Sequence, residues 1–265
     1  MSLRIQNNVE ALTAHRSLNA TSDKIAKSME RLSSGYRINR AADDAAGLSI
    51  SERMRSQING LAQANRNIQD GVSMVQTAEG NLDEVHSMLQ RVRELAVQYK
   101  NGTLSSDDQA AIQTEVNQLA SEIERIGGSA KFNGISLLSS SGSVTFQVGT
   151  NDGDSITVST ISLGSTVGAF TDLSDSAALS AIDTAISSVS SARATFGAVQ
   201  NRLEHSMAST QVYQENLTAA ESRVRDVDMA AEMVELTKNQ ILQQAGTSML
   251  AQANQAPQSI LSLIR

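Results

Sequence analysis

The fold is decided by residues 54–96, MRSQINGLAQANRNIQDGVSMVQTAEGNLDEVHSMLQRVRELA, where an apolar residue returns at every seventh position. These positions are Met54, Leu61, Ile68, Val75, Leu82, Leu89 and Ala96. A second apolar series follows four residues later at Ile58 and Val72, but three residues later from Ala78 onward, which predicts a register step within a coiled coil. Spacings of three and four align one helix face for packing. We therefore predict a long helix over 43–99.

A second long apolar repeat lies nearer the other end of the chain. It comprises Ile182, Val189, Phe196, Leu203, Thr210, Leu217 and Val224, each followed three residues later by a companion position such as Tyr213. This repeat predicts a helix from about 176 to 224. Because isolated helices are marginal in water, the two long helices are expected to pack on each other. A shorter helix follows the possible N-cap Ser105 and is expected to fold back antiparallel on the first, since the connection is short.

The segment between the helices changes to Ser, Gly, Thr and Asn over residues 129–175. Apolar residues alternate with polar ones at Val144, Phe146, Val148, Ile156 and Val158. The residues between these two runs, 150–154, have turn chemistry, so the pattern predicts one β-hairpin near 140–162. Asp152-Gly153-Asp154 lacks the ligand spacing and closing Glu of a calcium loop, and a turn is the better interpretation.

Both ends of the chain carry amphipathic segments. The first has apolar residues at Ile5, Val9, Leu12, Leu18, Ile25, Met29 and Leu32. The last has them at Leu242, Ala245, Met249, Ala253, Ala256, Ile260 and Leu263. The other face of that last segment carries Gln240, Gln243, Gln244, Gln252, Gln255 and Gln258. We expect these two helices to become well ordered only when they pair with other copies of the chain.

These patterns predict a mainly α fold: a long antiparallel coiled-coil or helix-bundle rod with a small β-hairpin region, plus a terminal two-helix coiled coil. The predicted domains are 1–42 with 226–265, and 43–225. Residues 1–40 hold seven Lys or Arg against three Asp or Glu, whereas residues 226–265 hold two against four. The opposite charges suggest that the two ends lie together.

Composition argues against several classes of function. The chain has no cysteine, a net charge of -7 and a pI of about 5.0, which disfavours thiolate metal sites and general nucleic-acid or anionic-membrane binding. No run of 18 apolar residues exists, and the N-terminal sequence lacks the apolar core of a cleaved signal peptide. The three histidines fall on separate predicted helices, with no HExxH or Walker motif. We predict no cofactor, no metal and no enzymatic activity.

Two polar features have open interpretations. Asn65 lies among apolar positions of the first long repeat and is either a tolerated polar core residue or a residue that selects helix register. Arg91, Arg93 and Glu94 form a charged cluster whose default interpretation is a solvated helix face.

Longer motifs give the sequence a specific resemblance. They are MSLRIQNNVEAL at the start, LSSGYRINRAADDAAGLSISERMRSQINGLAQANRNIQDGVSMVQTAEG at 32–80, LQRVRELAVQ at 89–98, KFNG at 131–134, RVRDVDMAAEM at 223–233 and ILQQAGTSMLAQANQAPQSILSLIR at 241–265. In these motifs, which include both ends of the chain, the sequence resembles the bacterial flagellins, the subunits of the flagellar filament. The chain looks like a short form without the large variable outer domains.

The resemblance implies roles for particular residues. The terminal helices would form an inner coiled-coil domain that lines the filament channel, with Gln243, Gln244, Gln252 and Gln255 as channel-facing candidates. Arg91, Leu95 and Glu115 match positions of subunit packing and of contact with the flagellin-sensing toll-like receptor of animal hosts. These three side chains are expected to be exposed in the monomer.

The resemblance also implies partners and a location. The partners would be other copies of the chain, an export chaperone that masks the C-terminal helix, the type III export apparatus, the filament cap and the hook-junction proteins. The chain would be secreted and would act in the extracellular flagellum in swimming motility. A hook–filament junction protein is the alternative within this class, and a signalling coiled-coil rod is the alternative outside it.

Overall fold

The computed structural model describes residues 8–164, 172–175 and 177–263, with side chains in the last helix as far as 255. The helices of this part of the chain are α1 (Val9–Ser34), α2 (Ala45–Tyr99), α3 (Ser106–Ser129), α4 (Ala178–Arg225) and α5 (Met229–Leu263). The strands are β1 (Lys131–Phe132), β2 (Ile135–Ser136), β3 (Gly142–Gln147) and β4 (Ser155–Thr160). The predicted mainly α fold with a small β region is confirmed. Ile5 and the side chains of Ala256, Gln258, Ile260 and Leu263 lie outside the described residues.

The described residues form two compact units. The central unit is Gln57–Asn216, and the terminal unit contains the described residues before 57 and after 216. Helices α2 and α4 each contribute to both units, so these boundaries fall inside helices. The domain boundaries drawn from the sequence instead follow helix ends at 42 and 225, and that division stays a prediction.

The core of the central unit is built on the heptad face of α2. Leu61, Ile68, Val75, Leu82, Leu89 and Ala96 are all buried, whereas Met54 is half-buried in the terminal unit. The register step differs from the prediction. Ala64 and Gly71, three residues after Leu61 and Ile68, are already buried, while Val72 is only half-buried. The step therefore lies near residues 58–64 instead of 72–78. The sequence pattern missed it because the buried companions are the small residues Ala and Gly.

Gly71 allows the β-hairpin to approach α2 closely. A Cβ atom at this position would lie 3.3 Å from side-chain atoms of both Phe146 and Leu203. Strands β3 and β4 pair antiparallel, with Val144 opposite Val158 and Phe146 opposite Ile156, which confirms the predicted hairpin. Asn67 fixes the hairpin to α2 by donating from Nδ2 to the carbonyl of Gln147 at 3.1 Å.

A second, smaller hairpin lies between α3 and β3. Strands β1 and β2 pair antiparallel, and the turn between them places Asn133 at φ 47° and Gly134 at φ 81°. Positive φ at both central residues is typical of a type I′ turn, in which Asn-Gly is the preferred pair. The KFNG motif supplies the first strand and the turn of this hairpin.

The terminal unit is organised by the antiparallel pair of α1 and α5. On α1 the positions turned towards α5 are Ala11, Ala14, Leu18, Thr21, Ile25, Ser28 and Leu32. On α5 they are Leu236, Asn239, Gln243, Gly246, Leu250 and Ala253. Both sets follow alternating spacings of three and four, so the pair is a short coiled coil. Its register is set by Asn8, which donates from Nδ2 to the carbonyl of Ala253 at 2.7 Å, and by the 3.4 Å ion pair of Arg31 with Glu232.

Candidate functional site

The terminal unit leaves many of its large apolar side chains exposed to solvent. Residues in the α1–α5 contact are mostly small or polar, including the buried Ser28 and Asn239. The exposed large apolar residues of the two helices are Val9, Leu12, Met29, Met229, Met233, Val234, Ile241, Leu242 and Met249. Soluble monomers rarely expose so many large apolar side chains on one helix pair. This exposed apolar surface is the strongest candidate for an association interface in the described part of the chain.

Part of that surface forms a groove between the two helices. The groove has a volume of about 1000 Å³ and is lined mainly by Val9, Thr13, Leu242, Ala245 and Met249, with Gln252 and Gln255 at one end. Leu242, Ala245 and Met249 belong to the apolar face predicted for the last helix, and only Ala253 of its described members is half-buried against α1. The predicted apolar face therefore lies beside the α1–α5 contact and is left largely uncovered.

The glutamines of α5 do not share one environment. Gln244, Gln252 and Gln255 are exposed, whereas Gln243 is half-buried at a contact position towards α1. Of the four channel candidates, three are therefore free to face a solvent-filled space in the monomer. Their channel role stays a prediction.

Two short segments connect the terminal helix pair to the long helices: residues 35–44 join α1 to α2, and residues 226–228 join α4 to α5. These two segments lie side by side and form a joint. Arg37 donates its backbone N–H to the carbonyl of Arg225 at 2.7 Å, and Val227 donates to the carbonyl of Gly35 at 3.0 Å. The Arg225 guanidinium lies 4.8 Å from the centre of the Tyr36 ring and donates to Glu52 at 2.7 Å. This hydrogen bond lowers the pKa of Glu52.

Asp43 holds the loop on the α2 side of this joint. Its carboxylate forms a 2.6 Å ion pair with Lys27 on α1 and accepts hydrogen bonds from the backbone N–H groups of Asn39 and Arg40. The Lys27 hydrogen bond, then the Arg40 backbone N–H, lower the pKa of Asp43 from 3.8 to about 2. The neighbouring Asp44 caps α2 by accepting from the Gly47 N–H at 2.9 Å.

Arg91 and Glu115 form an exposed ion pair between α2 and α3 in the central unit. Arg91 donates from Nε and Nη2 to one Glu115 oxygen at 3.1 and 3.0 Å, and from Nη1 to Glu94 at 3.2 Å. The Glu115 hydrogen bond, then the Glu94 one, raise the pKa of Arg91. Both partners are about half exposed, with side-chain exposures of 51% and 47%.

The expected exposure of Leu95 is wrong. Its side chain is 2% exposed and belongs to the hydrophobic core of the central unit. Because α3 folds back along α2, the short Leu95 side chain is enclosed, whereas the longer Arg91 one turn earlier reaches the surface. The exposed apolar residue of this region is Val97, at 54%. Leu95 lies beside the heptad position Ala96, but the spacing alone does not show that this neighbouring face is covered as well.

A polar contact links the antiparallel helices α2 and α4 in the central unit. Asn65 donates from Nδ2 to Gln214 Oε1 at 3.1 Å. On α4 the predicted companion of Thr210 is Tyr213, three residues later, but its side chain is 48% exposed. The next residue, Gln214, lies on the packed face instead. The Asn65–Gln214 pair thus lies where the heptad spacing of α4 changes and close to the step in α2. Whether Asn65 selects the register stays a prediction.

Charged pairs continue this register along the central unit. Arg93 contacts Asp183 at 2.6 Å, and Arg193 contacts Asp83 at 2.9 Å. The Asp183 hydrogen bond raises the pKa of Arg93. The predicted solvated face is therefore also a bridge between helices, which the sequence did not indicate because the partner is 90 residues away.

The described residues contain no group of three or more His, Cys, Asp or Glu side chains placed to hold a metal ion. No helix among them combines the length and apolar character needed to cross a bilayer. His15 and His86 contact Asn19 and Gln90 of their own helices. The exposed apolar surface of α1 and α5 on a mainly helical fold is typical of a protein that associates with other chains.

Two family models match the chain. The bacterial flagellin N-terminal helical region matches residues 5–143, and the bacterial flagellin C-terminal helical region matches residues 179–264. The chain is 52% identical to a flagellin of Halalkalibacterium halodurans, over 98% of this chain and 99% of that protein. It is 46% identical to the flagellar filament 33 kDa core protein of Treponema phagedenis, again over 98% and 99%. The chain belongs to the bacterial flagellin family.

One solved structure agrees with this assignment, and a second shares the fold. The crystal structure of Bacillus cereus flagellin is 34% identical, with a TM-score of 0.51, and the match covers 55% of this chain and 88% of that one. A putative flagellar hook-associated protein from Vibrio parahaemolyticus shares the fold at a TM-score of 0.59 and 17% identity, covering 69% and 100%. The chain is a structural subunit of the bacterial flagellar filament, in the short form. Flagellins polymerise, and the filament that they form is extracellular.

Proposed function

We propose that the terminal unit forms the inner layer of the filament and the central unit the outer layer. The observation that carries this proposal is the exposed apolar surface of α1 and α5, with Leu12, Ile241 and Met249 all more than 60% exposed. Covering such side chains contributes about 25 cal/mol for each Å² removed from water. Neighbouring copies of the terminal unit are the partners that supply this cover in a homopolymer.

Gln244, Gln252 and Gln255 face the central channel of this assembly. Uncharged amides bind water without attracting either charge sign, so these side chains offer a polar, uncharged surface to an unfolded subunit that passes through the channel. Gln243 contributes to the α1–α5 contact in addition to any channel role, because it is half-buried there.

The same apolar surface explains the partners of the chain before assembly. A cytosolic chaperone masks the C-terminal helix, whose exposed Ile241, Leu242 and Met249 would otherwise promote premature association. The chain leaves the cell through the type III export apparatus and is added beneath the filament cap, on a base of hook-junction proteins. It works outside the cell as a non-enzymatic component.

Arg91 and Glu115 serve first in packing between neighbouring subunits. Their ion pair and the exposed Val97 present a mixed polar and apolar surface on α2 and α3. A host toll-like receptor that binds the monomer uses this surface. Leu95 supports the surface from the core instead of contacting a partner.

Seeded polymerisation of the full chain tests the proposal. The double variant Leu242→Ser, Met249→Ser removes apolar area from the groove without burying a polar group in the monomer. We expect filament growth, measured by electron microscopy and sedimentation, to fall at least tenfold, with unchanged circular dichroism. Thr247→Ser on the exposed side of the same helix is the matched control. Growth of the double variant at the control rate would overturn the inner-layer assignment.

A further inference from the structure

The described methionines fall into two groups by exposure. On α1 and α5, Met29, Met229, Met233 and Met249 are 54%, 49%, 49% and 65% exposed. On α2 and α4, Met54, Met88 and Met207 are half-buried, and Met74 is 1% exposed. Thioether groups that are open to solvent react with oxidants, whereas those in a packed core are protected. The four exposed methionines among the described residues therefore all lie on the helix pair that the proposed function places at the subunit interface.

Three of the four exposed methionines lie near the same end of the α1–α5 pair. The ion pair of Arg31 with Glu232 places Met29 of α1 level with Met233 of α5, and Met229 lies one turn away. Met249 lies towards the other end, in the groove lined by Val9 and Leu242. Oxidation at these positions therefore alters both ends of the exposed apolar surface.

We propose that these four methionines are oxidation sites through which a peroxide or hypohalous acid reversibly blocks assembly of the free chain. With hydrogen peroxide, the sulfur lone pair attacks one peroxide oxygen and the O–O bond breaks. That oxygen stays on sulfur as a sulfoxide, and the other leaves as water. The sulfur is oxidised by two electrons and the peroxide is reduced by two. Methionine sulfoxide reductases reverse the change with a thiol reductant: two thiols are oxidised to a disulfide, and the sulfoxide oxygen leaves as water.

The block arises because the sulfoxide is a strong hydrogen-bond acceptor. In the free chain it remains in water, so the fold of the monomer is retained. At a subunit interface the same group must be buried without a matched donor, which is unfavourable. This step rests on the proposed covering of the α1–α5 surface by neighbouring copies. It follows that the four thioethers are reactive before assembly and protected after it.

The experiment treats the free full-length chain and finished filaments with dilute hydrogen peroxide and maps sulfoxides by peptide mass spectrometry. In the free chain we expect the four exposed methionines to be oxidised at least tenfold faster than Met74. In filaments their rate falls at least tenfold. Seeded growth of the oxidised chain falls at least tenfold, and methionine sulfoxide reductase restores it. Unimpaired growth of a chain that carries all four sulfoxides would overturn the proposal, as would equal oxidation of Met74.

Variants separate this inference from the proposed function. M29L/M229L/M233L/M249L keeps apolar volume but cannot be oxidised at these positions, so its growth should survive peroxide. M88L/M207L, altered only at half-buried positions, should lose growth after peroxide as the parent does. The reversal by the reductase uses the unaltered chain and needs no variant. If the double variant Leu242→Ser, Met249→Ser blocks growth but oxidation of all four methionines does not, the oxidation inference alone fails. If neither blocks growth, the inner-layer assignment fails as well.

Discussion

Arg225 stacks on Tyr36, with its guanidinium carbon 4.8 Å from the centre of the ring. The two residues come from the opposite ends of the chain, and their backbones are joined where Tyr36 pairs with Asp226. A guanidinium over an aromatic face is attracted by the ring quadrupole, and its planar group can donate to Glu52 at the same time. One side chain therefore ties both segments of the joint to the start of α2.

Replacing Arg225 by Lys should loosen this joint. A lysine keeps the charge but loses the flat stacking surface and the fixed donor geometry. We expect the terminal unit to lose about 1 kcal/mol of stability, since the pair is partly exposed. Faster amide exchange over 35–44 and 224–228 would report this loss. Arg223→Lys, at an exposed position two residues away, should leave exchange unchanged, and equal effects of both substitutions would contradict the assigned role.

Asp43 should make the terminal unit sensitive to acid. Its pKa is lowered from 3.8 to about 2, chiefly by the Lys27 hydrogen bond, so its ionised form is favoured by folding. The stabilisation is complete above about pH 4 and is lost as the pH falls through about 2. Asp43→Asn should flatten the decline of the urea midpoint between these pH values. The exposed Asp23→Asn is the control, and parallel pH profiles for Asp43→Asn and the parent would contradict the prediction.

Gly71 and Gly80 on α2 should respond in opposite directions to a larger side chain. A Cβ at Gly71 meets Phe146 and Leu203 at 3.3 Å, whereas a Cβ at Gly80 meets nothing within 4 Å. Gly71→Val should therefore cost about 2 kcal/mol by overpacking. Gly80→Ala should add about 1 kcal/mol through helix propensity. Urea unfolding of the central unit measures both, and a stabilising Gly71→Val would show that the hairpin does not press on this position.

Helix positions and the main hairpin were predictable because their signals are local and periodic. The heptads of α2 indicate which face of the helix is buried, and the alternation around Val144 and Ile156 does the same for the hairpin. Neither signal depends on the rest of the chain. The register step was misplaced because Ala64 and Gly71 carry little apolar signal, although small size is what the close approach of the hairpin requires.

Features that depend on the partner helix could not be predicted from the sequence. Leu95 is buried because α3 returns over it, and nothing in residues 89–98 states on which side α3 packs. The contact face of α5 was also missed, since polar Asn239 and Gln243 occupy positions where a pattern search expects apolar side chains. Only the placement of α1 against α5 distinguishes the covered face from the exposed one.

Asn65 and Gln214 should be energetically coupled. Their 3.1 Å hydrogen bond joins the two long helices, and Asn65 Oδ1 is buried with no partner, so part of the amide is poorly satisfied. A double-mutant cycle with Asn65→Leu and Gln214→Leu should give a coupling energy of about 1 kcal/mol. Urea unfolding supplies the four stabilities. The same cycle with the exposed Tyr213→Leu should give about zero, and a zero value for the Gln214 cycle would remove the pair as a register contact.

Substitutions at Leu95 and Val97 should separate an effect on stability from an effect on filament assembly. Leu95→Ala opens a cavity in the core and should cost the central unit about 3 kcal/mol, measured by urea unfolding. Val97→Ala, at a 54% exposed position on the same helix, should change stability by less than about 0.5 kcal/mol. If the surface around Arg91 and Glu115 packs against a neighbouring subunit, Val97→Ala should nevertheless slow seeded filament growth severalfold. Growth of Val97→Ala at the parent rate, together with normal growth of Arg91→Ala, would exclude this surface from the subunit interface.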